Sequence, residues 1–186
     1  MSLRPSRADA RRNRDRLLGV AVEALSTGGP GVPLETIART AGAGIGTLYR
    51  HFPTREALVD AAYRSELDRL CASAPELLRA LAPEAALRAW MGRFADYTAT
   101  RPGMSDALRM VIASGGPAYA PSRDLLLAAL TPLLAAGAAA GTLRDDVPVL
   151  DVLTGLSGIT LAAGGPDGRE RAGRLLDLLL DGLRPR

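Results

Sequence analysis

The stretch from Leu34 to Phe52 constrains the fold more than any other part of the chain. Its sequence is LETIARTAGAGIGTLYRHF. The apolar residues of its first half follow the i, i+3, i+4, i+7 spacing of one helix face: Leu34, Ile37, Ala38 and Ala41. Gly42–Gly44 then end this helix, and a second short helical run follows with Leu48 and Phe52 four residues apart. Two short helices joined by a glycine turn are typical of a helix-turn-helix.

The second of these helices carries hydrogen-bond donors, and the charge around it is basic. Its outward residues include Thr47, Tyr49, Arg50 and His51. Residues 1–55 hold nine arginines against four carboxylates, a net charge of +5, whereas the other 131 residues have a net charge of −2. A basic end on a slightly acidic remainder indicates binding to nucleic acid. The alternative is an arginine-rich terminus that is merely solvated.

Cysteine and histidine content limits the chemistry of the chain. Cys71 is the single cysteine, so no disulfide forms within the chain, and with one histidine a His/Cys metal site is not expected. The first residues lack the apolar core of a signal peptide, and we find no run of about 20 apolar residues for crossing a bilayer. We therefore expect a cytoplasmic protein with no membrane partner, no metal and no cofactor.

The pattern along the chain predicts an all-α fold of about nine helices in two parts. Residues 1–53 form a three-helix head with the helix-turn-helix at about 33–52, and residues 54–186 form a second helical domain. Pro75 and Pro83 are expected to interrupt helices, and Pro132 to mark a kink or a boundary. The predicted helices are 6–27, 34–41, 45–52, 54–70, 85–100, 105–113, 122–140, 149–163 and 169–183.

The motif residues resemble one known family. The segment from Arg14 to Tyr63 resembles the DNA-binding head of the TetR (tetracycline repressor) family of bacterial transcriptional regulators. The matching positions are Ile37-Ala38, Ala41-Gly42, Gly46-Thr47-Leu48-Tyr49, His51-Phe52 and Arg55-Glu56-Ala57-Leu58. The chain departs from the family pattern at two capping positions, where Pro33 and Gly44 replace residues with a capping hydroxyl. Glycine is only a slightly weaker cap than serine, so we expect the fold to survive both changes.

The resemblance implies a set of DNA-binding residues. They are Ile45, Gly46, Thr47, Tyr49, Arg50 and His51, with Arg55 after the recognition helix and Arg11, Arg12 and Arg14 before it. Arg50 is suited to bidentate recognition of a guanine. Thr47, Tyr49, His51 and Arg55 are suited to phosphate contacts, and Gly46 allows close backbone approach.

Three of these assignments have plainer alternatives. Ile45 either contacts a thymine methyl group or packs inward, Tyr49 is either a DNA contact or a core residue of the head, and His51 is either a phosphate contact or an ordinary helix-end histidine.

In the family, the second domain binds an inducer and forms the dimer. The implied ligand-binding residues are Trp90, Phe94, Tyr97, Met104, Leu108, Tyr119, Leu126 and Leu130, and their alternative is a filled core. The residues expected at a dimer interface are Leu153, Leu156, Ile159, Leu175, Leu179 and Leu183. They too have the alternative of internal core.

We therefore predict a sequence-specific, DNA-binding transcriptional regulator that is a homodimer. The resemblance implies a repressor that a small organic inducer releases from double-stranded operator DNA. The alternative is a constitutive or architectural DNA-binding protein without an inducer. An enzyme is not expected, because no catalytic nucleophile–base pair or glycine-rich phosphate loop is evident.

Overall fold

The computed structural model describes residues 7–28, 31–99, 120–163 and 168–185. Within these ranges every regular element is an α-helix, which confirms the predicted all-α class. The helices are α1 (Arg7–Gly28), α2 (Leu34–Thr40), α3 (Ile45–His51), α4 (Arg55–Ala80), α5 (Pro83–Ala99), α6 (Ala120–Ala139), α7 (Val149–Ala162) and α8 (Gly168–Gly182). The further helix predicted at 105–113 lies outside the described residues.

The chain divides into two compact units, an N-terminal unit (Met1–Glu66) and a C-terminal unit (Leu67–Arg186). Helix α4 contributes residues to both, because the division falls within it. The division of function that the sequence predicts, at residues 53 and 54, stays a prediction.

The N-terminal unit is a small helical head with its own core. Its buried apolar side chains come from all four helices and are Leu17 and Ala21 on α1, Leu34, Ile37 and Ala38 on α2, Leu48 on α3, and Leu58 on α4, with Ala41 and Phe52 from the segments between them. These are the positions that the helical spacing in the sequence marked as apolar faces. The core fixes α2 and α3 against α1 and leaves the polar face of α3 outside.

The turn between α2 and α3 depends on one glycine. Gly42 has a φ of +62°, in the left-handed region that glycine enters without steric cost. The N–H of Gly42 donates to the carbonyl of Arg39 at 3.0 Å, and the N–H of Ala43 donates to the carbonyl of Ala38 at 2.9 Å. This pair of bonds is the Schellman arrangement, which satisfies the last carbonyls of α2 and directs the chain into α3.

The C-terminal unit has the larger core, with α5 at its centre. Trp90, Met91 and Phe94 are completely buried, and α5 packs on α6, α7 and α8. The indole Nε1 of Trp90 donates to the carbonyl of Leu70 at 3.1 Å, so the one polar atom of this large side chain is satisfied.

Polar contacts on the surface of this unit join α5 to α8. The Nε of Arg88 lies 2.5 Å from Oδ1 of Asp177, and its Nη2 donates to the carbonyl of Gly173 at 3.2 Å. The hydrogen bond from Arg88 lowers the pKa of Asp177 below its ordinary value. Asp177 therefore favours the folded state above its unfolded pKa, and that contribution is lost as the pH falls through the folded pKa.

Two prolines lie inside helices. Helix α4 continues through Pro75 to Ala80, and α6 continues through Pro132 to Ala139, so the predicted break at Pro75 is wrong. Each proline removes one intrahelical hydrogen bond. Buried residues on both sides, such as Ala74 and Leu77 around Pro75, pack into the core and hold the helix together despite that loss.

Helix α6 is the most apolar long helix among the described residues. Within the described residues, Pro121–Ala139 is long and apolar enough to cross a bilayer by length and composition, with a mean hydropathy of 1.2. These criteria alone are weak evidence, because core helices meet them too. Leu130 and Leu133 of α6 are completely buried in the core of the C-terminal unit, and 28% of the apolar stretch is buried in all.

Candidate nucleic-acid interface

Helix α3 buries one side chain and leaves the others exposed or half-buried. Leu48 is completely buried, whereas Ile45 is 36% exposed and Tyr49 is 45% exposed. The structure therefore does not show the inward packing considered for Ile45 or the core position considered for Tyr49. Ile45 and Tyr49 therefore lie on the outer face of α3, where another molecule can contact them.

Arg50 is held by two hydrogen bonds within α3. Its Nε donates to the carbonyl of Gly46 at 3.2 Å, and its Nη2 donates to Oγ1 of Thr47 at 3.0 Å. The Nε–Nη2 edge of the guanidinium is thus occupied by its own helix. The Nη1–Nη2 edge is the one that remains for a bidentate contact such as the O6 and N7 atoms of guanine.

A groove of about 640 Å³ separates the polar faces of α1 and α3 in the N-terminal unit. It brings together three residues of α3 with four of α1. The lining residues are Asp9, Arg12, Asn13, Arg16, Thr47, Arg50 and His51. Four of them were predicted DNA-binding residues, and the arginines make the groove basic.

Asn13 and Arg16 are groove residues that the sequence analysis did not select. Nη2 of Arg16 donates to Oδ1 of Asn13 at 2.7 Å. Arg12 forms an ion pair with Asp9 one turn earlier on the same helix. The sequence does contain an indication that Arg16 lies beside Arg12, because residues four apart in a helix share one face.

The remaining predicted DNA-binding arginines differ in their contacts. The Cζ of Arg14 lies 5.2 Å from the centre of the Phe52 ring, a cation–π contact within the head. Nη2 of Arg55 donates to the carbonyl of Val32 at 2.9 Å, which holds the segment before α2. Arg11 is exposed on α1 and does not line the groove. DNA contacts by these three residues stay predictions.

Gly46 and His51 lie near opposite ends of α3. A methyl group at Gly46 would meet no heavy atom within 4 Å, so nothing in the unit itself requires glycine there. The position is exposed, as close approach to a ligand requires. His51 is half-buried, lines the groove, and has its ring centre 6.4 Å from that of Phe52.

Three helices begin around this face, and they differ in their caps. Pro33 before α2 and Gly44 before α3 make no side-chain capping bond. By contrast, Oγ1 of Thr54 accepts the N–H of Ala57 at 3.1 Å and caps α4. A hydrogen bond from its own backbone, and then one from Thr54, lower the pKa of Glu56. The two helices of the helix-turn-helix, α2 and α3, therefore have no side-chain cap, whereas α4 has one.

The predicted ligand-binding residues that the structure describes lie in one apolar cluster. Trp90, Phe94, Leu126 and Leu130 are buried, and Tyr97 is half-buried beside them. The rings of Trp90 and Phe94 stack with centres 5.9 Å apart. Met104, Leu108 and Tyr119 lie outside the described residues.

The predicted interface residues of α7 and α8 divide into two groups. Leu153, Leu156 and Leu183 are buried in the core of their own unit, whereas Ile159, Leu175 and Leu179 are half-buried. The most exposed leucines of these helices are Leu150, at 50%, and Leu178, at 66%. The sequence analysis did not select these two, because periodicity alone does not show which face of an apolar helix the core covers.

No group of three or more metal-ligating side chains (His, Cys, Asp or Glu) that could hold a metal ion occurs in the described parts of the chain. Cys71 is half-buried, and its Sγ lies 3.5 Å from the carbonyl oxygen of Leu125. Burial, and then the charge of Asp68, raise the pKa of this thiol to about 11.

Two family models match the chain. The model for bacterial regulatory proteins of the tetR family matches residues 17–62. The model for the C-terminal domain of SbtR-like transcriptional regulators matches residues 82–185. A search of curated proteins found no match.

Solved structures of similar proteins extend over nearly the whole chain. A TetR transcriptional regulator from Streptomyces coelicolor is 56% identical, with a TM-score of 0.77, and the match covers 92% of this chain and 98% of that one. A TetR regulatory protein from Mycobacterium vanbaalenii is 37% identical, with a TM-score of 0.72, and the match covers 97% and 100% of the two chains.

Proposed function

Because the chain belongs to the TetR family of bacterial transcriptional regulators, and is thus a DNA-binding regulator, we propose that it acts as a homodimeric repressor. It binds double-stranded operator DNA and leaves it when a small organic inducer binds. In this proposal residues 1–53 recognise DNA, and residues 54–186 bind the inducer and form the dimer. The protein works in the cytoplasm, uses no cofactor or metal and catalyses no reaction.

The outer face of α3 is the observation that carries the DNA-binding part of the proposal. Ile45, Tyr49 and Arg50 are exposed on one seven-residue helix, and that helix borders a basic groove. A helix of this size fits the major groove of B-DNA, where base edges carry a distinct pattern of donors and acceptors. An apolar side chain can contact the methyl group of a thymine, and the guanidinium beside it can bind a guanine.

We assign separate roles to the side chains of this face. Arg50 recognises a guanine through its Nη1–Nη2 edge, and Ile45 contacts a thymine methyl group. Tyr49 and His51 donate to phosphates. Gly46 lets the backbone of α3 come close to the base edges, since the free protein has open space where a methyl group would be. Such a division between phosphate and base contacts is general in DNA recognition.

The dimer is proposed to form through α7 and α8. Leu150 and Leu178 are exposed, and Ile159, Leu175 and Leu179 are half-buried on the same two helices. A two-fold dimer buries the same patch of both copies, so the apolar surface of one copy would be covered by the same surface of the other. Two recognition helices in such a dimer contact half-sites about one DNA turn apart, roughly 34–36 Å.

The inducer is proposed to bind in the C-terminal unit, near Trp90, Phe94 and Tyr97. Trp90 and Phe94 are buried aromatic rings and Tyr97 is half-buried with one hydroxyl, so an inducer that contacts all three displaces part of this apolar cluster. The inducer must bind the DNA-free state more tightly than the DNA-bound state, since a ligand shifts an equilibrium only by that difference. Helix α4, which has residues in both units, is the covalent connection for such a change.

Selection from random DNA tests the proposed function. The full chain is incubated with a random duplex library, and the bound fragments are sequenced over several rounds. We expect a near-palindromic motif with two half-sites one helical turn apart. Enrichment of no motif, with weak binding to all fragments alike, would support the architectural alternative instead.

A thermal-shift screen tests the inducer. A bound ligand raises the melting temperature of the state to which it binds. We expect at least one class of apolar organic compound both to raise the melting temperature and to release the selected DNA. If no class does so, the regulator is constitutive.

A further inference from the structure

We propose that the groove between α1 and α3 binds one phosphate group of the DNA backbone, with Arg12 and Arg16 as its ligands. We further propose that Asp9 occupies the place of that phosphate when DNA is absent. This inference rests on the proposed function, because it names a contact of the same DNA-binding surface. It adds two residues, Arg16 and Asp9, that the sequence does not assign to DNA binding.

The groove has the charge and the composition of an anion site. Its walls supply the guanidinium groups of Arg12 and Arg16 from α1 and that of Arg50 from α3. Arginine binds phosphate through parallel N–H donors in a planar arrangement. Arg50 has one edge occupied by its own helix, and the proposed function assigns its remaining edge to a guanine, so the two arginines of α1 are the phosphate ligands.

Arg16 is oriented by a neutral partner. Its Nη2 donates to the amide oxygen of Asn13 at 2.7 Å, and both residues line the groove. An amide oxygen accepts one N–H without neutralising the guanidinium charge. Arg16 therefore keeps its full charge and its remaining donors for a phosphate.

Arg12 has a charged partner, and this makes Asp9 an internal competitor. The two side chains form an ion pair, and both are more than half exposed. An exposed pair of this kind contributes little to stability, so an incoming phosphate can replace the carboxylate. Until it does, the negative charge of Asp9 lies in the groove and opposes binding of a polyanion.

Salt-dependent binding to a scrambled duplex tests the inference without requiring the operator. The full-length protein is titrated by fluorescence anisotropy against a labelled duplex of about 30 base pairs, between about 50 and 200 mM salt. Arg16→Gln should reduce the magnitude of the negative slope of log K against log salt by about 0.9 per protomer, the value for one lost phosphate contact. Its control is Arg93→Gln, an exposed arginine of α5 that lies outside the groove and outside the proposed dimer helices, and it should leave the slope unchanged.

The role of Asp9 is tested by a second variant with a matched control. Asp9→Asn should raise the association constant about fivefold, because it removes a like charge within a few ångströms of the phosphate. Asp15→Asn makes the same charge change at an exposed position of α1 that does not line the groove, and it should raise the constant less than about twofold. Circular dichroism and melting temperatures confirm that all four variants fold.

The outcomes separate this inference from the proposed function. If Arg16→Gln behaves as Arg93→Gln does, or Asp9→Asn as Asp15→Asn does, the groove is not a phosphate site, although DNA binding itself stands. If the wild-type protein shows no salt-dependent binding to DNA, the proposed function fails and this inference fails with it.

Discussion

Thr47 has two possible roles, which are to orient Arg50 or to contact a phosphate. A substitution at Thr47 distinguishes between them. Its Oγ1 accepts a hydrogen bond from Nη2 of Arg50 at 3.0 Å. Thr47→Val removes this acceptor without changing the shape of the side chain. We expect the ratio of operator to scrambled-DNA binding to fall about fivefold, since one hydrogen bond contributes about 1 kcal/mol.

The conservative variant is the control for this prediction. Thr47→Ser keeps the hydroxyl group, and we expect it to retain the ratio within about twofold. Anisotropy with the selected operator and a scrambled duplex measures both variants. An equal loss of affinity for the two duplexes would mean that Thr47 contacts phosphate and does not orient Arg50.

Cys71 gives a pH-dependent prediction at the residue scale. Burial raises the pKa of its thiol from 9.0 to about 11. At pH 8.5 the native protein should therefore have roughly a hundredfold less thiolate than an exposed cysteine, and iodoacetamide should label it correspondingly slowly. The contribution to stability is fully present below pH 9.0 and is lost as the pH rises through about 11.

Labelling of the denatured chain provides the reference rate for Cys71. The reaction in urea at the same pH should be fast, as for a free thiol. Equal rates in the native and denatured proteins would show that the thiol is not protected by burial against Leu125 and its neighbours.

At the scale of elements, substitutions at two glycines of the helix-turn-helix should change its stability in opposite directions. Gly42 needs its positive φ, and Gly42→Ala should destabilise the N-terminal unit by about 1–2 kcal/mol. Gly44 is in extended backbone with open space at its Cβ, and Gly44→Ser should stabilise α3 by a few tenths of a kcal/mol as a better cap. Urea denaturation of the full chain measures both changes. A gain of stability in the alanine variant would contradict the assignment of this turn.

The helices illustrate how far sequence patterns determine elements. The bounds of α2, α3, α7 and α8 agree with the predicted spans to within one or two residues, because periodic apolar residues and glycine-rich breaks coincide there. Pro75 was misleading, since local propensity favours a break and only tertiary packing around Ala74 and Leu77 outweighs it.

The candidate site was predictable in part for a similar reason. The face of α3 follows from the motif, because Leu48 must be buried and its neighbours on the helix then point outward. The groove did not follow, because the approach of Arg16 and Asn13 to Arg50 depends on how α1 packs against α3. The exposure of Leu178 likewise depends on which face of α8 the core covers.

At the scale of the whole molecule, Leu178 tests the proposed dimer. This side chain is 66% exposed, so Leu178→Glu should not disturb the core of the protomer. We expect the variant to be monomeric by light scattering and to bind the operator at least tenfold more weakly, because two half-sites are then no longer bound together. Leu81→Glu is the matched control, since Leu81 is 43% exposed and lies outside α7 and α8. A dimeric Leu178→Glu protein would place the interface elsewhere.

The proposed function depends on recognition of base sequence by α3 and of a guanine by Arg50. Selection from random DNA, repeated with Arg50→Ala, tests both assignments. We expect one guanine position in each half-site to lose its preference while the spacing and the other positions are kept, at a cost of about 1–3 kcal/mol for the operator. An unchanged motif, with the same guanines selected as strongly as by the wild-type protein, would show that Arg50 does not recognise a guanine.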